Sequence, residues 1–128
     1  MKSSHFNKKG QARIVDISKK KITKRIAIAT GKVFMNIKTL EMIEDGNHKK
    51  GDVLAIARIS GILACKKTSS LIPLCHPLNI EFVELNFNFN KKESFIEIEC
   101  QCKTTNKTGI EIEALTGVTI AGLTKYDM

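Results

Sequence analysis

Two stretches of this chain alternate apolar and polar residues with a period of two, and they stand back to back. From Ile80 to Asn90, Val83, Leu85, Phe87 and Phe89 fall on one face and Glu84, Asn86 and Asn88 on the other. From Ser94 to Lys103 the alternation resumes, with Ile96, Ile98, Cys100 and Cys102 inward and Glu97, Glu99 and Gln101 outward. With Lys91-Lys92-Glu93 as the turn, the two runs predict an antiparallel hairpin with one covered face. Upstream, Ile22 to Thr30 and Val33 to Ile37 are rich in β-formers, and Gly31-Lys32 between them predicts a bend or bulge. Ala12 to Ser18 reads as a short extended piece in which Asp16 is a candidate turn former.

The helical signals alternate with these. Thr39 to Asp45 predicts a short helix stopped by Gly46, followed by a turn-rich, charged segment through Asp52. Asp52 stands as an N-cap before Val53-Leu54-Ala55-Ile56-Ala57, and the helix it opens should run to about Ser69. That helix is apolar on nearly all sides, with small residues at Ala55, Ala57, Ser60, Gly61 and Ala64. Such a pattern predicts burial on several faces or close packing against another chain. Arg58 in its middle asks for an anionic partner. Thr104 to Gly109 reads as a loop. Ala114, Val118, Ala121 and Tyr126 then recur at helical spacing, although Gly117 and Gly122 each weaken a helix by roughly 1 kcal/mol. The expected fold class is α+β: a ferredoxin-like sandwich, antiparallel sheet with two main helices, its final strand missing. Residues 1–13 are expected to be a mobile arm and 14–128 a single domain.

At 128 residues, 42% hydrophobic and 27% charged, the chain has the size and balance of one globular domain. No apolar run approaches the roughly 18 residues of a membrane span, and the first residues lack a signal peptide's apolar centre. The expected location is the cytoplasm, without a membrane partner. The net charge of +8 favours anions. The lysines are scattered in pairs, such as Lys8-Lys9 and Lys91-Lys92, with no interleaved aromatics. Solubility, a small phosphorylated ligand and nucleic acid all remain open on charge alone. The cysteines lack the density of a disulfide scaffold, and Cys100-Gln101-Cys102 is not the spacing of a structural zinc site. They are expected to be reduced core thiols, with no metal bound.

Chemistry concentrates around Leu71-Ile72-Pro73-Leu74-Cys75-His76-Pro77-Leu78. Its two prolines fix φ, lack N–H donors and push Ile72 and His76 out of the α region. The plain reading is a helix-stop turn. The alternative is a stiff loop presenting a thiol and an imidazole, although sequence adjacency does not itself supply a Cys-His hydrogen bond. Three other features carry charge suited to a site: His48-Lys49-Lys50 before the Asp52 helix, Glu111-Ile112-Glu113, and Tyr126-Asp127.

Taken together, these residues resemble the MoaC family of cyclic pyranopterin monophosphate synthases. The resemblance rests on Asp45-Gly46-x-His48-x-Lys50-Gly51-Asp52, Ala57-Arg58-Ile59, the Pro-framed loop, Lys107-Thr108-Gly109, Glu113-Ala114-Leu115-Thr116 and Tyr126-Asp127-Met128. It runs from about Ile14 to the last residue. It implies a lyase of molybdenum cofactor biosynthesis that converts 3′,8-cyclo-7,8-dihydro-GTP to cyclic pyranopterin monophosphate and releases diphosphate. It also implies a triphosphate substrate rather than nucleic acid, no cofactor, and a homohexamer built as a trimer of dimers. By the same resemblance Asp127 and Lys50 are catalytic. Leu74, Cys75, His76, Ile112 and Glu113 bind substrate, and Lys66 and Arg25 lie near its phosphates. The family pattern continues beyond Tyr-Asp-Met with a second lysine, a strand and a Gly-Lys-Ser-Gly-type segment, and it often has His where Arg13 stands. A catalytically impaired form that keeps the oligomeric scaffold is therefore the alternative expectation.

Overall fold

The computed structural model describes residues 4–46 and 52–127. Its centre is the predicted hairpin, β2 (Phe82–Asn90) and β3 (Phe95–Asn106), with Leu85 opposite Cys100 and Phe87 opposite Ile98. β1 (Thr23–Phe34) pairs antiparallel with the other side of β3, giving the order β1-β3-β2. That order, with helices between the strands, is the ferredoxin-like arrangement. Among the described residues no strand lies on the outer edge of β1.

Two expectations about the strands need correction. β1 runs through Gly31 and Lys32 without a bulge, keeping register as Gly31 faces Ile98 and Lys32 faces Glu97. The glycine serves the helix packed above it, because a Cβ at Gly31 would lie 2.7 Å from Cγ1 of Val118. β3 also extends through Asn106, beyond the predicted end, since Thr104 and Thr105 pair with Arg25 and Lys24. Tertiary pairing overrides turn-like composition there.

The helices are α1 (Ile37–Asp45), α2 (Val53–Lys66), the short α3 (Thr68–Leu71) and α4 (Glu111–Asp127). Asn36 caps α1 through the N–H of Lys38, and Gly46 closes it in the left-handed region at φ 74°. Asp52 caps α2 as predicted, accepting from the N–H of Ala55 at 3.0 Å. α2 ends at Lys66, short of Ser69. The Thr68 hydroxyl donates to the carbonyls of Ala64 and Cys65, both at 3.0 Å, and occupies acceptors of the final turn. Among the described residues Arg58 meets no anion: its Nε donates to the Leu85 carbonyl at 3.2 Å, and its guanidinium lies 5.2 Å from the Phe87 ring centre.

α2 and α4 touch each other on one face of the sheet, α2 over β2 and α4 over β1 and β3. Leu85, Ile98, Ile110, Ala114 and Ala121 form the main core between them, and Leu40, Ile43, Val53 and Ile96 a second one under α1. The helices leave Ile56, Ile59, Leu63, Leu115 and Leu123 facing outward. Residues 4–13, expected as an arm, fold back on themselves: Phe6 bridges Ala12, and the Asn7 side chain accepts from the N–H groups of Lys9 and Gln11.

Lys125 on α4 is 4% exposed. Among the described residues its Nζ has no hydrogen-bond partner, and it sits 4.2 Å from the Phe87 ring centre. Burial depresses this ammonium from its ordinary 10.5 to about 7. Between those values the unfolded chain holds a proton that the folded chain has released, so this group's contribution makes stability rise with pH across the window. Lys125→Met should remove that rise. It should stabilise the protein by on the order of 2–4 kcal/mol at pH 6 and by little near pH 10. Urea unfolding at the two pH values checks it; equal gains at both would refute the account.

Candidate functional site

The Pro-framed loop leaves α3 with the N–H of Ile72 on the Thr68 carbonyl at 2.9 Å and turns back through the N–H of Cys75 on the Ile72 carbonyl at 3.2 Å. With two prolines and these bonds it has little freedom, and it meets the first turn of α4. Cys75 Sγ donates toward Glu113 Oε2 at 3.6 Å. His76 Nε2 lies 2.6 Å from the Val15 carbonyl. A carbonyl only accepts, so Nε2 carries the proton in that bond, and in the neutral ring Nδ1 is left as an acceptor.

Glu113 is 3% exposed, a carboxylate buried in the first turn of α4. Burial raises its pKa, offset in part by its own backbone N–H and by Cys75. Burial, with the charge of Glu113 added, pushes the Cys75 thiol up to about 11. At neutral pH Cys75 is therefore a thiol, not a thiolate nucleophile. Glu111 and Glu113 do not point the same way as they would on a strand. They are helical, and Glu111 is exposed where Glu113 is buried.

A cavity of about 170 Å³ opens here, lined by Leu74, Cys75 and His76 from the loop, Ile112 and Glu113 from α4, and the Thr108-Gly109 turn. Five of the residues that the family resemblance implies for substrate thus line one cleft. Arg25 reaches the cleft's rim indirectly: its Nη2 donates to the Lys107 carbonyl at 3.5 Å, while its Nε is buried without a partner among the described residues. Lys66 lines a neighbouring hollow of about 420 Å³ with Ile62, Asn79 and Phe82, and Leu78 borders both. Lys50 and His48 lie outside the described residues, and Asp127 is described only as the last residue of α4. The sequence reading missed His5, which also lines the cleft; its polar segment carries no periodicity that could have signalled it. A second cluster of donor atoms, Cys65 with Cys100 and Cys102, lies behind the cleft in the core, joined to it by the bond from Cys65 Sγ to the Glu113 carbonyl at 3.2 Å.

No helix among the described residues is long and apolar enough to cross a membrane. Comparison with known proteins matches residues 14–128 to the MoaC family. A cyclic pyranopterin monophosphate synthase of Heliobacterium modesticaldum is 54% identical over 98% of this chain and 79% of its own length. Proteins of the same name from Syntrophomonas wolfei and Desulfitobacterium hafniense are each 52% identical over the whole chain, which covers 82% and 78% of theirs. With its Pro-framed loop and buried Glu113 converging on one cleft of a ferredoxin-like sheet, the chain belongs to the MoaC family.

Proposed function

We propose that the protein is a cyclic pyranopterin monophosphate synthase, a cytoplasmic lyase of molybdenum cofactor biosynthesis. The observation that carries this reading is identity of about one half, over essentially the whole chain, to proteins of that name. The substrate, 3′,8-cyclo-7,8-dihydro-GTP, has a heterocycle rich in N–H donors and a triphosphate. Glu113 and the loop at Leu74 and Cys75, with Ile112, hold the heterocycle. Arg25, Lys66 and His76 hold the phosphates. Lys50 and Asp127 move protons as the ring rearranges and diphosphate leaves.

The working unit in this reading is a homohexamer, a trimer of dimers. Supporting it, Ile56, Ile59 and Leu63 on α2 and Leu115 and Leu123 on α4 are apolar and exposed. Unpaired apolar helix faces of that kind suit burial against other copies. Incubating purified protein with the cyclic nucleotide and following diphosphate and pterin product tests the activity. No product at any protein concentration would overturn it.

A further inference from the structure

The three cysteines of the core meet in one place although the chain separates them. Cys65 comes from the last turn of α2, and Cys100 and Cys102 from the inward face of β3. Their sulfurs form a near-equilateral triangle with sides of 3.7, 3.8 and 3.9 Å. The centre of that triangle, in the plane of the sulfurs, lies roughly 2.2 Å from each, close to a metal–thiolate bond length. All three thiols are free and at most 1% exposed. Gly117 of α4 leaves room beside them: a Cβ there would sit 2.5 Å from the Cys65 sulfur and 2.9 Å from that of Cys100.

The surroundings narrow the choice of ion. Among the described residues no imidazole or carboxylate joins the cluster. The Glu113 carbonyl already accepts from Cys65 at 3.2 Å. Zinc in a structural site takes four ligands, whereas soft monovalent copper is matched to thiolates and is satisfied by few of them. The enclosing side chains, including Leu85, Ile98, Ala114 and Val118, are apolar and keep out water. The three buried thiols hold their protons in sulfur–sulfur contacts and in the bond to the Glu113 carbonyl. An arriving cation supplies the charge that releases them.

We propose that Cys65, Cys100 and Cys102 form a three-sulfur site for copper(I) that ties α2 to β3. Each thiol that becomes a thiolate ligand gives its proton to solvent. No electron moves, and the copper remains monovalent. Affinity therefore falls as pH falls.

The test uses the full chain, reduced and free of oxygen, with copper(I) supplied as its acetonitrile complex against a bathocuproine competitor. Because the sulfurs are buried, copper is added both to the folded protein and during refolding. Expected are one copper per chain after desalting, a thiolate-to-copper absorption band in the near ultraviolet, and a raised melting temperature. Cys65→Ala and Cys102→Ser should each weaken binding at least tenfold, with their metal-free urea midpoints confirming that they fold. Cys75→Ser should bind as the parent does, which separates the core cluster from the Cys75-His76 pair. Equimolar zinc should not displace the copper. The proposal is overturned by the absence of copper from both preparations, by parental affinity in the Cys65→Ala and Cys102→Ser proteins, by loss of binding in Cys75→Ser, or by displacement with zinc.

Discussion

Gly61→Val should unfold much of the protein at urea concentrations the parent tolerates, with a loss of about 3 kcal/mol. α2 and α4 approach closely where Gly61 faces Gly117 and Ala121. A Cβ at Gly61 would lie 2.6 Å from Cδ2 of Leu85, 3.0 Å from the Gly117 carbonyl oxygen and 3.2 Å from Cβ of Ala121. A Leu rotamer can adjust, but a helix carbonyl cannot, so the helices must part and loosen the core around Leu85. Leaving glycine gains roughly 1 kcal/mol of helix propensity with alanine and less with a β-branched residue, too little to offset that strain. Gly122→Ala is the matched control. Its Cβ would meet Val33 and Ile98 at 3.5 and 3.6 Å, ordinary contact. That change should therefore stabilise by about 0.5–1 kcal/mol. Urea midpoints decide between them, and a Gly61→Val midpoint equal to the parent's would sink the account of the crossing.

The second large effect is expected at Glu113. A buried carboxylate offers acceptors only, matching adjacent N–H donors on a purine-derived ring. Glu113→Ala should lower kcat/KM for the cyclic nucleotide at least a hundredfold, because the ring's donors would be left unpaired in a closed cleft. Glu113→Gln should recover little, since its amide turns a donor toward a donor. His76→Ala should lose less, because its ring is already committed to Val15 at one nitrogen. Steady-state kinetics on folded variants checks this. Activity within threefold of the parent for Glu113→Gln would mean that the charge and double acceptance of Glu113 are not what the substrate uses.

Local pattern was enough where neighbours in sequence decide the structure. The alternation in 80–90 and 94–103 and the caps at Asp52 and Gly46 all appear in the fold. It was misleading where a distant element decides. Gly31 looked like a break because glycine usually marks one, but its reason is Val118, far along the chain. Thr104 reads as loop in isolation yet pairs with Arg25, and Arg58 asks for an anion because its ring and carbonyl partners on β2 leave no local trace. The cleft was legible in the same uneven way. The Pro-framed loop announces itself through proline stereochemistry, and its meeting with Glu113 came from family resemblance, not periodicity. Cys65 reads as a reduced core thiol and is one, but spacing along the chain cannot reveal its meeting with Cys100 and Cys102, because a helix delivers that third sulfur.

The position of β3 between its two partners has a consequence for synthesis. β1 pairs with β3 along its whole length, from Thr23 opposite Asn106 to Phe34 opposite Phe95. A ribosome finishes β1 roughly 60 residues before it begins β3, an interval of several seconds at ordinary elongation rates. Throughout it the backbone of β1 has no strand to join. The hairpin of β2 and β3 can close almost as soon as it is made. The nascent chain is most in need of a chaperone while β1 waits for β3.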